Sequence, residues 1–317
     1  MNDQSNHGHT ASRRIQIRTL ILCSLILTVI SQAASLTAQN KSTTPDEWKP
    51  VEEALGKAGS MQPGNVFKIG LPRNDLSVTV RGVSINPVLA LGSWVAFKKM
   101  GSDAVVMGDL VLTEAEVGPV MWSLQESGIE QTALHNHVLD ESPRVMYMHI
   151  HGHGDAVKLA AAIRRALSYT KTPFNQPPGV TLKRSPPAEV NFPQVEKLLG
   201  RTGKDNNGVY QFSIARAEKI TDGGMEVPPS MGVATAINFQ PTGIGRAAIT
   251  GDFVLVASEV NPVIHALRES DIAVTAIHSH MLTESPRLFF MHFWANDDAL
   301  KLARGLRAAL DKTNSAK

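Results

Sequence analysis

His135-Asn-His-Val-Leu-Asp-Glu-Ser-Pro-Arg144 returns as His278-Ser-His-Met-Leu-Thr-Glu-Ser-Pro-Arg287, and the same offset of 143 residues recurs on both sides of it. Upstream, Gly108-Asp109-Leu-Val-Leu answers Gly251-Asp252-Phe-Val-Leu. Downstream, Met148-His149 answers Met291-His292, and Asp155-Ala-Val-Lys-Leu-Ala160 answers Asp298-Ala-Leu-Lys-Leu-Ala303. Weaker similarity begins near Leu55-Gly56 and Leu199-Gly200. A period this long is a duplicated domain and not a solenoid repeat. The expected boundaries are a first repeat over 46–171 and a second over 194–313. Between them, 172–193 holds six prolines and little apolar periodicity, the composition of an extended linker.

One copy reads as α+β. Val105 to Leu112 is an apolar, β-branched run and predicts a strand. Thr113-x-x-Glu116 is a capping box; Val117, Val120, Met121 and Leu124 follow at helical spacing, and Ser127-Gly128 ends the helix. Thr132 to Leu139 and Arg144 to His151 read as strands around a turn at Asp140 to Pro143. Gly154-Asp155 opens a closing helix with Val157, Leu159, Ala160, Ile163 and Leu167 on its apolar side. Leu76 to Ile85 and Val88 to Lys98 look like further antiparallel strands. The order strand–helix–strand–strand–helix predicts two tandem split βαβ (ferredoxin-like) units with additional antiparallel strands. Each sheet would then keep one face free, and two copies can pair those faces about a pseudo-two-fold axis.

The chemistry concentrates in the repeated decapeptide. His135 and His137 stand two apart on a predicted strand, so both imidazoles project from one face. Glu141 follows in the turn and His149 lies on the returning strand. His278, His280, Glu284 and His292 repeat the set. Three imidazoles and a carboxylate suit a divalent metal: Zn, Fe, Mn or Cu. Glu141 and Glu284 are the candidate fourth ligands or catalytic bases; both also suit a turn-shaping role, paired with Arg144 and Arg287. Convergence depends on hairpin parity. Pairing Asp140 with Arg144 puts His149 on the shared face, whereas pairing Leu139 with Arg144 turns it away. His151 and His153 become Trp294 and Asn296 in the second copy, so the common scaffold does not require them; with Met146 and Met148 they would suit copper. Glu116 and Glu259 read as helix caps.

The N-terminus reads as an address label. Arg13, Arg14 and Arg18 precede an apolar run from Thr19 to Ile30, and small and polar residues follow. That order predicts a signal peptide over 1–38, cut after Ala38 with Ala33 or Ala34 as rivals, and hence a periplasmic or secreted protein. An uncleaved anchor is the other reading of the same segment. Ser12-Arg13-Arg14 also resembles a twin-arginine signal, departing from it at Gln16. Cys23, the sole cysteine, falls inside the leader, so disulfides and thiolate chemistry are not expected in the exported chain. The net charge of +2 gives no reason to expect nucleic acid, and 43% hydrophobic residues with 19% charged is an ordinary globular composition. No membrane span is expected once the leader is removed.

The motifs Glu116-Val-Gly-Pro-Val, Gly128-Ile, His135-x-His, Glu141-Ser-Pro-Arg144, Met148-His149 and Asp155-Ala-x-Lys-Leu-Ala160 together resemble the LppY/LpqO family of exported bacterial proteins. The resemblance runs through both copies and implies export and a duplicated domain; it carries no biochemical role. His-x-His-x₃-Glu also resembles the first metal motif of cupins, whose glycines and second motif are missing here. Two functions stand from the sequence. One is an exported metal-binding protein, a metal-dependent hydrolase in its catalytic form. The other is a non-catalytic cell-envelope protein binding a small molecule or a protein partner.

Overall fold

The computed structural model describes residues 44–174 and 189–316. The leader with Cys23, and most of the proline-rich linker, lie outside the described residues. In the first repeat the sheet runs, edge to edge, Ser60–Gln62, Val66–Pro72, Gly92–Met100, Asp103–Thr113, Val145–Gly154, Glu130–His135, every neighbouring pair antiparallel. The second repeat reproduces that order with Lys204–Asn206, Val209–Ala215, Ala234–Gly243, Arg246–Val256, Leu288–Asp298 and Ala273–His278. Asp103–Thr113 and Glu130–His135 are therefore parallel, joined through the helix Glu114–Gln125, with Val145–Gly154 inserted between them. That is the split βαβ arrangement, twice over.

Local chemistry sets the helix starts. The Thr113 amide donates to Glu116 Oε2 at 2.8 Å and the Val256 amide to Glu259 Oε2 at 2.9 Å, while the Asp155 and Asp298 carboxylates cap the closing helices Ala156–Leu167 and Ala299–Leu310. Glu116 and Glu259 do more than cap. Each also binds an arginine on the preceding strand edge, Arg73 Nη1 at 2.7 Å and Arg216 Nη1 at 2.6 Å, both guanidiniums being buried.

One face of each sheet packs under its own helices. Leu110, Met148 and Ile150 meet Val120, Leu124, Ile163 and Leu167 in the first repeat, and Phe253, Met291 and Phe293 meet Val263, Leu267, Leu302 and Leu306 in the second. The other faces are covered from across the molecule. Tyr147 and Val111 of the first repeat cluster with Ala248 and Trp294 of the second, and Met107 and Val105 cluster with Phe290 and Leu288. The described residues, 44–174 and 189–316, accordingly form one compact unit.

Three expectations are corrected here. Leu76 to Ile85 is not a long strand: it holds a tight hairpin of Thr79–Val80 and Val83–Ser84, and a helical turn, Pro87–Ala90, precedes the strand Gly92–Met100. Its apolar residues Val78, Val80, Ile85 and Leu89 form a strap whose burial comes from tertiary contact, not from strand alternation. The strand Val66–Pro72 occupies a sheet position that the sequence reading left empty. Thr132 to Leu139 ends as a strand at His135, so His137 lies beyond it. The hairpin pairs His135 with Tyr147, two residues from the first register considered above, so parity is kept and His149 remains on the face of His135.

Candidate metal centre

The segments after the two edge strands cross to the opposite repeat. Thr132 Oγ1 donates to the His280 carbonyl at 2.7 Å, and Thr275 Oγ1 to the His137 carbonyl at 2.5 Å. Asn136 Nδ2 reaches the Thr275 carbonyl at 3.2 Å, and Ser279 Oγ the Thr132 carbonyl at 3.1 Å. Each contact has its mate at the equivalent position of the other copy, which is the signature of a two-fold interface. It carries the imidazole of His137 against His292 (ring centroids 3.9 Å apart) and that of His280 against His149 (3.9 Å). Tyr147 closes the other side of His137 at 3.3 Å, and Phe290 that of His280 at 3.5 Å. His135 and His278 meet at 3.7 Å between the two stacks.

The six histidines thus form one cluster at the junction of the repeats, where the sequence reading expected a site in each. Three trios place one ligand atom per residue within 4.8 Å of one another: His135, His137 and His149; His149, His278 and His280; His135, His278 and His292. The second and third draw on both repeats. His278, His280 and His292 do not close as a trio by themselves.

Glu141 and Glu284 are not among the groups that close on a common point. Glu284 accepts from the Leu288 amide at 2.8 Å and pairs with Arg287 at 3.2 Å, shaping the turn. Glu141 sits in a short strand beside Val80, bonded to the Val145 amide, and burial pushes its carboxyl up. His151 stands 3.7 Å from Glu130 and 3.7 Å from Asp222, apart from the cluster, and Met148 lies on the helix side of the sheet, so the copper grouping does not form.

Two carboxylates that the motif reading passed over do join. Asp109 Oδ2 lies 3.5 Å from His137 Nε2; Asp252 Oδ2 lies 3.1 Å from His280 Nε2, and its Oδ1 4.0 Å from His292 Nδ1. Their signal was legible: a carboxylate at the same place in the apolar, buried middle of two strands. The glycine before each has its own reason. A Cβ on Gly251 would fall 1.9 Å from the Ala236 carbonyl oxygen, and the Gly251 carbonyl accepts from His292 Nδ1 at 2.8 Å.

Burial sets the protonation states. Desolvation, with neighbouring imidazoles second, holds His137 and His278 well below the usual range. The same cause lowers His149 and His292, and takes His280 down to about 3. Neutral imidazoles are the ligand form. Asp252 is pushed up to about 6 by burial. Backbone carbonyls take Nδ1 of His135, His280 and His292 at 2.8–3.0 Å, a partner that fixes the tautomer and leaves Nε2 as the lone pair facing the cluster. Nε2 of His135, His137, His149 and His292, Nδ1 of His278, and Oδ1 of both aspartates are buried without a hydrogen-bond partner.

The family described as Domain of Unknown Function (DUF1259) matches residues 49–169 and again 193–312. The chain belongs to that family. The DUF1259 match confirms two tandem copies, and it corrects the resemblance to the LppY/LpqO family drawn above, since the family that matches is a different one. No curated protein matches the chain. Among solved structures, the trimeric bacterial microcompartment shell protein PduB is 12% identical over 79% of this chain and 88% of its own, with a TM-score of 0.19. EtuB from Clostridium kluyveri is 9% identical over 80% and 90%, with a TM-score of 0.18. At scores this low neither likeness bears on the fold or function of the DUF1259 chain.

Proposed function

We propose that this is an exported metal-binding protein whose divalent ion, Zn, Fe, Mn or Cu, sits among His135, His137, His149, His278, His280 and His292. The observation that carries this reading is the set of buried imidazole nitrogens, on five of the six residues, that have no hydrogen-bond partner. Leaving a buried polar atom unpaired costs about 1–3 kcal/mol, so five together are a heavy burden for a purely structural cluster. A cation turns each of those lone pairs into a ligand. Bound there it supplies Lewis acidity, which makes metal-dependent hydrolysis the catalytic form of the proposal. The test is elemental analysis of protein purified without a histidine tag, before and after reconstitution with Zn²⁺, Fe²⁺, Mn²⁺ and Cu²⁺. Retention of roughly stoichiometric metal through dialysis supports the reading, and its absence with every ion removes it.

A second reading, a non-catalytic envelope protein that holds a small molecule or a protein partner, draws on a different observation. Leu134, Leu139, Ile277 and Leu282 flank the histidine segments and are 40–56% exposed. Apolar side chains left in water at equivalent positions of both copies suit a contact surface. Protein that stays metal-free after reconstitution would favour it.

A further inference from the structure

We propose that the cluster takes two divalent ions, one on each side of the pseudo-two-fold axis, with Asp109 and Asp252 completing the ligand sets. The inference rests on the metal-binding reading above and goes beyond it in number and in ligands.

The donors exceed one ion's needs. Six imidazoles and two carboxylates make eight ligands, whereas a first-row divalent ion held by protein nitrogen and oxygen takes about four to six. Eight divides into two sets of three imidazoles and one carboxylate, the four-fold shell that Zn²⁺ and Co²⁺ favour. The layout offers one closed set of this kind, His149, His278 and His280, and the remaining His135, His137 and His292 are its pseudo-two-fold counterparts. His137 with His292 forms one stack and His149 with His280 the other, each 3.9 Å between centroids. His135 and His278 bridge them: His278 lies 5.1 Å from His280 and 4.6 Å from His292, and His135 lies 5.2 Å from His137 and 5.1 Å from His149. An ion held by any one of the three closed trios leaves the other three imidazoles outside its set.

The carboxylates add the argument from charge. Asp109 and Asp252 are held close to the imidazoles, and each keeps an Oδ1 that is buried and unpartnered. Two buried carboxylates beside neutral imidazoles form a site that a cation relieves. Lys68 Nζ, the ammonium that acts on Asp109, has its own partners in the Ser230 carbonyl at 3.3 Å and the Trp94 ring at 3.9 Å.

The experiment counts ions on the full chain. Metal-free protein is titrated with Co²⁺ while the visible spectrum is followed, bound cobalt is measured after gel filtration, and a Cu²⁺-loaded sample is examined by electron paramagnetic resonance. Two equivalents of cobalt and a spin-coupled copper signal are expected. One equivalent with the spectrum of an isolated copper ion would overturn the two-ion inference and leave the metal reading standing; no bound ion would overturn both. Asp109→Asn and Asp252→Asn keep the side-chain shape and should each weaken retention of an ion at least about tenfold. Both variants holding two ions with an unchanged cobalt spectrum would remove the carboxylates from the ligand sets. Should a variant fail to fold, the count and the coupling in the unsubstituted chain decide.

Discussion

His278 and His151 make a controlled comparison at the scale of single residues. His278 contributes to two of the three ligand trios, whereas His151 lies between Glu130 and Asp222, away from the cluster. His278→Ala is expected to cut retained metal to below about a tenth, and His151→Ala to leave it unchanged, as read by elemental analysis of each variant. The burial that keeps the imidazoles neutral also predicts a pH dependence for the metal-free chain. An unfolded imidazole titrates near 6.5, while His280 falls to about 3 in the fold and His137, His149 and His292 lie well below the usual value. Below pH 6.5 the unfolded chain therefore binds more protons than the folded one, so stability is full above that pH and is lost on the way down toward 3. Asp252 works in the opposite sense: raised from 3.8 to about 6, its contribution is present below 3.8 and lost as pH rises through about 6. The histidines outnumber it. The urea midpoint of metal-free protein should fall between pH 7 and pH 5, and an unchanged midpoint would contradict the neutral, buried cluster.

Strand and helix are tied together by buried charge. Arg73 donates to Glu116, to Asp75 and to the Val111 carbonyl, locking the start of the helix Glu114–Gln125 to the sheet; Arg216 does the same for Ala257–Glu269 through Glu259, Glu218 and the Val254 carbonyl. Removing one partner of such a buried group strands the others, so Arg73→Ala should cost about 3–5 kcal/mol in urea denaturation. Glycine in the central strand tests packing at the same scale. A Cβ at Gly251 meets the Ala236 carbonyl oxygen at 1.9 Å, and the neighbouring strand Ala234–Gly243 would have to part from it. Gly251→Ala should therefore destabilise by about 1–3 kcal/mol, while Gly70→Ala, with nothing within 4 Å of the added atom, should stay within about 0.5 kcal/mol. Thermal melts of the two variants side by side make the comparison.

Across the whole molecule, each repeat hides its helix-free sheet face against the other. Tyr147 and Val111 bury with Trp294 and Ala248, and Gln240 bonds twice across the junction, its Oε1 accepting from the Asn86 amide at 2.8 Å and its Nε2 donating to the Ser84 carbonyl at 2.7 Å. A repeat by itself would leave that apolar face in water. Residues 44–171 expressed alone should self-associate, running larger than a monomer in size-exclusion chromatography, because the interface is pseudo-two-fold and a second copy of the same repeat offers a similar surface. A well-behaved monomer that retained metal would show that the centre does not need both repeats.

Much of this was legible in the residues. Hairpin parity stayed open between two registers until the pairing of His135 with Tyr147 put His135 and His149 on one face, but the constant offset gave the duplication, and the capping Thr113 and Glu116 with the strand reading of Arg144 to His151 gave the α+β unit. Those are local matters: periodicity, capping and alternation act over a few residues, so sequence determines them. The strap from Leu76 to Leu91 was misread because its apolar spacing answers to a surface that both repeats supply together. The site was misplaced for the same reason. His137 and His280 lie beyond their strands and are aimed by Thr275 and Thr132 of the opposite copy, contacts spanning about 140 residues that no local pattern encodes. Sequence determined which histidines are repeated; only the packing of one sheet against the other decided that they form a single centre, because each imidazole finds its nearest fellow imidazole across the axis and not within its own repeat.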